Sequence, residues 1–279
     1  MKKWSEPSYP LALWGWSPTE VRRYALAVGA PRSPLDEGDL RLVMTDEPEV
    51  LPTFAMLLAD AHSLRYIPLP GVDYEPEDVI YAGHELELFG PLPSSLTGTS
   101  TSRILSVGDV RSGVLVRRET ISRDKAGKAV ARNVVTSVIR GAVSGESHRP
   151  PATPSETVEP LHEQIDVPTL PQQALLYAQT GDDNPLHWNP SVARGAGFDR
   201  PILHGLCSAA MVTRAVIGHV TDHGWVAFRR LSVRFTSPVV PGDTIRVGIG
   251  GRPGALRFAA SVGGREVLSS GIVEMNGAA

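Results

Sequence analysis

The sequence predicts an α+β protein that is built twice from the same plan, a helix followed by a run of antiparallel strands. Each half has one helix that runs from a capping residue to a glycine, at 17–29 and at 169–181. Each half then continues through a proline-led apolar stretch into three alternating segments separated by turns. The shared order of cap, proline and strands indicates two similar domains of roughly equal size.

The helix of each half is predicted from its ends. Ser17-Pro18-Thr19-Glu20 is a capping box with proline at the first helical position, and Thr169-Leu170-Pro171-Gln172 has the same form. Gly29 and Gly181 follow the apolar positions and are typical of helix ends. We therefore expect both helices to begin at these hydroxyl caps.

A buried helix and a sheet are expected to follow in each half. Pro52 and Pro201 each open an apolar stretch that favours a buried helix, and the second of these helices is expected to begin near Leu203 and to stop at Gly218. Alternating residues predict strands near 99–107, 113–122, 129–140, 244–250, 256–262 and 266–274.

The boundary between the halves is predicted from a change in composition. The stretch 144–167 is polar, carries four prolines and has no sustained apolar period. It is interpreted as a linker between an N-terminal domain at 1–143 and a C-terminal domain at 168–279.

Composition argues against several classes of protein. The 279 residues carry 27 Lys+Arg against 30 Asp+Glu without a long basic block, so a nucleic-acid partner is not expected. No apolar run approaches the roughly 18–20 residues of a membrane span, so a membrane protein is not expected either. The single cysteine, Cys207, and the polar, proline-containing start at 1–7 favour a cytoplasmic location.

A turn directly after the second helix gathers polar side chains that can act on one water molecule. Gly181 is followed by Asp182, Asn184 and His187. A carboxylate and an imidazole together can hold and polarise water near neutral pH, because one accepts a proton while the other supplies or stabilises one. The alternative is an ordinary Asx-turn in a surface loop.

A second motif, at 197–207, ends in His204-Gly205-Leu206-Cys207. If a helix begins near Leu203, the backbone N–H of Gly205 lies in its first turn without an acceptor in the helix. A glycine lets a ligand carbonyl approach closely, and the helix dipole favours negative charge on that oxygen, as an oxyanion site requires. The alternative is a glycine needed for helix packing.

Together the two motifs resemble the hydratase 2 family of (R)-specific enoyl-CoA hydratases, the MaoC-like double hot-dog enzymes. The family pattern Gly-Asp-x-Asn-Pro-Leu-His, followed by Gly-Phe-x-x-Pro-Ile-Leu-His-Gly-Leu-Cys, fits 181–187 and 197–207 throughout. Weaker similarity extends through the first half at 24–30, 51–54 and 86–88. The resemblance implies two tandem hot-dog domains, each a curved antiparallel sheet wrapped around a central helix, forming an intrachain pseudo-dimer.

The resemblance also implies the reaction, a reversible syn addition of water to trans-2-enoyl-CoA that gives (3R)-3-hydroxyacyl-CoA. It implies no metal and no cofactor, since coenzyme A is part of the substrate. By position, Asp182 and His187 match the pair that holds the water, and Asn184 matches the asparagine that orients it. Gly205 matches the backbone donor to the thioester carbonyl. Which of Asp182 and His187 takes the proton stays open.

The first half is expected to be non-catalytic and to lend a groove to the acyl chain. It has Ala30 and Ala55 near the positions equivalent to Asp182 and His204, so one active site per chain is expected. The chain departs from the family pattern at Ala178 and Asn189 in the second half and at 81–84 in the first half. These departures bear on acyl-chain length and on contacts to coenzyme A.

Further substrate contacts are predicted within the second motif and on a strand of the second half. The residues are His204, Leu206, Arg229, Arg230 and Arg234, of which the arginines suit the phosphates of coenzyme A. The alternative for the arginines is a solvated strand face.

One histidine pair has the spacing of metal ligands on a helix. His219 and His223 are four residues apart but lie between glycines, so they are interpreted as a loop without a metal.

Other functions of an acyl-thioester protein remain open from sequence. One is a dehydratase that acts on a 3-hydroxyacyl group bound to a carrier protein, and another is a thioesterase, which would release free coenzyme A. A non-catalytic acyl-thioester binding protein would have no need of the Asp182 and His187 pair. A monomer and a homodimer both remain open.

Overall fold

The computed structural model describes Tyr9 and residues 11–65, 67, 69–145, 161–221, 224–252 and 254–276. Within them the strands are β1 (Ala12–Trp16), β2 (Val79–Leu88), β3 (Leu96–Val110), β4 (Gly113–Asp124), β5 (Ala129–Arg140), β6 (Leu161–Pro168), β7 (Phe228–Phe235), β8 (Thr244–Arg252), β9 (Ala255–Val262) and β10 (Arg265–Met275). The helices are α1 (Pro18–Ala27), α2 (Glu37–Leu40), α3 (Gln173–Ala178), α4 (Pro190–Gly195) and α5 (Gly205–Thr221). Short 3-10 helices occupy Pro52–His62, Pro76–Asp78, Pro185–His187 and Trp225–Ala227.

The strands form one continuous antiparallel sheet with the order β1-β3-β4-β5-β2-β7-β10-β9-β8-β6. From the centre of the sheet outward, the strand order is β2-β5-β4-β3-β1 in the first half and β7-β10-β9-β8-β6 in the second. The two orders correspond strand for strand, with β7 in the position of β2 and β6 in the position of β1. The two halves join where 83–87 of β2 pair with 230–234 of β7. The predicted α+β class and the repeated plan are confirmed, and the joined sheet is the pseudo-dimer that the resemblance implied.

The predicted linker extends too far toward the second half. From Leu161 onward the chain forms strand β6, whose residues pair with β8. Its polar composition follows from its position at the sheet edge, where most of its side chains are exposed. Residues 146–160 of the predicted linker lie outside the described residues.

The predicted capping boxes have different outcomes in the two halves. Ser17 caps α1 with the reciprocal contact to Glu20, as predicted. Thr169 does not cap α3, because its hydroxyl donates to the Asp243 carbonyl at 2.8 Å and its helix begins only at Gln173. The competing tertiary hydrogen bond therefore overrides the local cap.

The two buried helices also differ from each other. The stretch opened by Pro52 is a 3-10 helix, whereas residues 201–204 are not helical and α5 begins at Gly205. Gly218 does not stop α5, which continues to Thr221. His219 is therefore helical rather than in a loop, and its Nε2 lies 2.6 Å from Glu163 of β6. His223, its predicted neighbour in a metal pair, lies outside the described residues.

The two halves share one hydrophobic core, to which each contributes buried aromatic and aliphatic side chains. A buried ion pair crosses between the halves, with Arg214 Nη1 of α5 lying 2.6 Å from Asp39 Oδ2 of α2. Arg214 also donates to the Gly29 carbonyl at 2.7 Å. These contacts fix the second half against the first half. No helix among the described residues is both long and apolar enough to cross a membrane.

Candidate active site

The polar turn after α3 is shaped by its glycine and its asparagine. Gly181 adopts φ +116°, a conformation that favours glycine and lets the chain turn away from the helix. Asn184 then caps the short Pro185–His187 helix, since its Oδ1 accepts the Leu186 N–H at 3.1 Å. The turn is thus locally determined, and Asp182 remains only partly buried at its start.

His187 is held as a neutral base. Its Nδ1 lies 2.8 Å from the Ile202 carbonyl, which can only accept, so Nδ1 carries the proton and Nε2 presents a lone pair. Burial lowers the pKa of His187, and the cation of Arg65 lowers it further, while Asp182 and the Ile202 carbonyl act in the opposite direction. Near neutral pH the ring can therefore accept a proton.

His204 holds the turn in position. Its Nε2 donates to the Asp182 backbone carbonyl at 3.0 Å, and its ring lies on that of His187 with centroids 3.8 Å apart. Burial, together with the neighbouring His187, lowers the pKa of His204 to about 2. A permanently neutral ring of this kind orients the Asp182 backbone without competing for the proton.

Ring contacts anchor this pair of histidines in the core of both halves. His204 lies 4.9 Å from Tyr177 between ring centroids, and Tyr177 lies 6.2 Å from Tyr24 of α1. Tyr24 in turn meets Phe54 edge-on at 5.2 Å. Aromatic pairs of this kind add to the stability from burial, so the site is positioned by both halves.

The functional groups predicted in the turn converge. One ligand atom from each of Asp182, His187 and His204 lies within 4.8 Å of the others, and Asn184 Nδ2 lies 3.5 Å from His187 Nε2. This arrangement offers a carboxylate and an imidazole lone pair as acceptors and an amide as donor, which suits a water whose two hydrogens are both accepted. A carboxylate and imidazoles are also donors of the kind that zinc prefers, which a chelator can test.

Gly205 lies at the start of a long, largely buried helix. It is the first residue of the 17-residue helix α5, so its N–H has no acceptor within the helix. The Leu203 N–H donates to the Val239 carbonyl at 2.7 Å and fixes the chain just before it. A Cβ added at Gly205 would lie 3.3 Å from the Phe235 ring, which explains the glycine partly by packing.

The remaining predicted substrate residues differ in burial and in their contacts. Leu206 is buried in the shared core. Arg229 is exposed and Arg230 is half-buried at the start of β7, and Arg230 Nη2 donates to Glu85 of β2 at 3.1 Å. Arg234, further along the strand, is exposed. The ion pairs make Arg229 and Arg230 bridges between the halves, and contact with coenzyme A stays a prediction for all three arginines.

The sequence did not reveal that the first half supplies charged groups to the site. Arg65 Nη2 donates to Asn184 Oδ1 at 3.1 Å across 119 residues of sequence. Asp60, five residues earlier, accepts from the Tyr81 hydroxyl at 3.3 Å. Tyr81 belongs to a segment that departs from the family pattern, but no local pattern pairs it with Asp60, because the contact exists only after the sheet has formed.

Asp60 should make stability depend on pH. Burial and the charge of Asp182 raise its pKa from 3.8 to about 6, so the native state disfavours the ionised form. As pH rises from about 4 through 6, the native state holds this proton longer than the unfolded chain does, and stability falls. We expect Asp60→Asn to remove a penalty on the order of 1–3 kcal/mol. Its Tm should exceed that of wild type at pH 7.5 but match it at pH 4.

The exposed Asp73→Asn variant is the control for this comparison, because it removes an equal charge from a solvated side chain. An equal Tm difference at both pH values for Asp60→Asn would contradict the raised pKa.

A cleft of about 200 Å³ lies between the first half and the start of the polar turn that follows α3. Its apolar walls come from the first half, and Gln179 and Thr180, just before Gly181, close one side. Glu20 and Arg23 also line the cleft, and its apolar side chains are Ala12, Leu13, Trp14, Trp16, Phe54, Leu57 and Leu58.

Comparison with known proteins identifies the class that this fold and site define. The chain matches the model of the MFE-2 hydratase 2 N-terminal domain over residues 14–141 and that of the MaoC like domain over 153–250. Among solved structures, a MaoC-like dehydratase from Phytophthora capsici superposes with a TM-score of 0.82 and 26% identity, covering 98% of this chain and 97% of that one.

Two curated proteins of Mycobacterium tuberculosis are similar over most of their length. The enoyl-CoA hydratase ChsH3 is 32% identical over 243 residues, covering 86% of this chain and 85% of that protein. The 3-hydroxyacyl-thioester dehydratase Y is 30% identical over 279 residues, covering 94% and 93%. The chain therefore belongs to the MaoC-like hydratase 2 family of double hot-dog proteins.

Proposed function

We propose that the protein is a hydro-lyase that adds water reversibly to trans-2-enoyl-CoA and forms (3R)-3-hydroxyacyl-CoA. The observation that carries the proposal is the convergence of the Asp182 carboxylate, the His187 lone pair and the Asn184 amide. The names of the relatives, an enoyl-CoA hydratase and a 3-hydroxyacyl-thioester dehydratase, support the same chemistry in its two directions.

In the proposed reaction the water lies between Asp182 and His187, which accept its hydrogens, while Asn184 donates to its oxygen. The oxygen bonds to C3 as one O–H bond breaks, and the C2–C3 π electrons move into a thioester enolate. The Gly205 N–H stabilises the negative charge that develops on the thioester oxygen. C2 then takes a proton on the same face from the residue, Asp182 or His187, that accepted the water proton, so that one water is added in total.

The apolar cleft beside Gln179 and Thr180 is the proposed acyl-chain site, with the first half providing its apolar walls. Arg229, Arg230 and Arg234 are proposed to meet the phosphates of coenzyme A. The proposed reaction uses groups of the chain and substrate alone, without a metal or cofactor. The cytoplasmic location expected from the sequence remains a prediction.

The direct test measures the loss of enoyl-thioester absorbance and the release of free thiol in parallel, with crotonyl-CoA and a longer trans-2-enoyl-CoA. We expect absorbance loss without thiol release, and unchanged rates after incubation with EDTA. Thiol release would instead favour a thioesterase, and loss of activity in EDTA that zinc restores would show that activity depends on a metal, with the two histidines and Asp182 as its candidate ligands. Turnover of carrier-bound substrates alone would favour the biosynthetic dehydratase.

A further inference from the structure

We propose that Arg65 of the first half is a positioning residue that fixes the amide of Asn184 as a donor to the nucleophilic water. The inference rests on the proposed function, because it assigns Arg65 a role in the same water site. The first half would then contribute to the reaction by positioning a residue of the second half.

The geometry of the Asn184 side chain carries the proposal. Its Oδ1 accepts the Leu186 N–H and the Arg65 Nη2, each at 3.1 Å. A carbonyl oxygen has two lone pairs, so both acceptor positions are filled. The Nδ2 group is left on the side of His187 Nε2, 3.5 Å away, with hydrogens available for a water.

The charge on Arg65 also strengthens this donor. A hydrogen bond from a guanidinium is stronger than one from a neutral group, and in a chain of hydrogen bonds it polarises the acceptor group. The Nδ2 hydrogens of an amide whose oxygen faces a cation therefore donate better. A flipped amide would lose the Arg65 bond and would present its oxygen to the lone pair of His187.

Arg65 is not placed where a solvated surface arginine would be. It is half-buried, and its Nε is shielded from solvent without a hydrogen-bond partner among the described residues. The groups that shift the His187 pKa are Asp182, the Ile202 carbonyl and Arg65, and the neutral ring of His204 lies against the His187 ring. Among these, the Arg65 cation acts together with burial to keep His187 neutral. Removal of Arg65 should therefore also change the pH profile of kcat/KM.

A double-mutant cycle separates this role from a structural one. We expect Arg65→Met to lower kcat about 10- to 100-fold with little change in KM. Arg65→Lys, which keeps the charge, should recover part of the loss. In the Asn184→Ala background, Arg65→Met should have little further effect on kcat, because Arg65 acts through the amide that is missing.

The pH profile gives the second readout. Loss of the Arg65 cation should move the acidic limb of kcat/KM to higher pH, whereas Asn184→Ala should leave that limb in place. Arg246→Met, which removes an exposed arginine paired with Asp166, is the matched control. It should leave both kcat and the acidic limb of kcat/KM unchanged. Thermal unfolding of each variant checks that the fold is retained.

Additive losses in the cycle, or equal activity of folded Arg65→Met and wild type, would overturn the role of Arg65. A rise in KM of similar size with and without Asn184 would show that Arg65 binds substrate directly, and would also overturn it. Wild type that hydrates no enoyl thioester would remove the proposed function itself. The two failures are therefore distinguishable.

Discussion

Replacing Asp182 by asparagine should lower kcat about 10²- to 10⁴-fold, the usual contribution of a positioned acid or base. The amide has nearly the shape of the carboxylate but cannot take the water proton. The turn should survive the change, because His204 binds the Asp182 backbone carbonyl rather than the side chain. KM should change little, since the proposed acyl cleft and phosphate contacts do not involve this carboxylate.

The neighbouring Asp183→Asn variant is the matched control for the loss of one negative charge. The Asp183 side chain is exposed, and the Trp188 indole binds only its backbone carbonyl, at 2.8 Å. We expect near wild-type turnover for this variant. A folded Asp182→Asn variant that keeps its activity within a few-fold of wild type would contradict the assignment of Asp182 as a catalytic residue.

Replacing Gly205 by proline should lower kcat about 10²- to 10³-fold, the typical cost of removing one oxyanion donor. Proline is accepted at the first position of a helix, where its missing N–H has no helical acceptor in any case. The change therefore removes the proposed donor while leaving the start of α5 intact. The measurement is single-turnover hydration of a trans-2-enoyl-CoA together with thermal unfolding.

Gly205→Ala is the matched control, because it adds a Cβ near Phe235 and keeps the N–H. It should lose much less activity than Gly205→Pro. Equal losses in the two folded variants would indicate that crowding against Phe235, and not the backbone donor, limits the reaction.

Much of the fold could be predicted because its signals are local. The capping box at Ser17 and the alternation along β4, β5, β8 and β9 depend on neighbouring residues alone, and the observed elements follow them. The prediction was wrong where a distant partner decided the outcome. Thr169 looks like a cap in sequence, but the Asp243 carbonyl takes its hydroxyl.

The same distinction holds for the candidate site. Asp182, Asn184 and His187 lie within six residues, so their convergence was predictable from one turn. His204 acts on that turn from 22 residues away, and the sequence indicated it as a substrate contact rather than as the anchor of the Asp182 backbone. Arg65 and Asp60 reach the site only because β2 and β7 join the halves into one sheet, which no local pattern encodes.

The configuration at C3 of the product tests the central claim most directly. Wild type should convert a trans-2-enoyl-CoA to the (3R)-3-hydroxyacyl-CoA, identified by chiral analysis, and folded Asp182→Asn should form almost none. A (3S) product, or free coenzyme A without hydroxyacyl product, would contradict the proposed addition of water by Asp182 and His187.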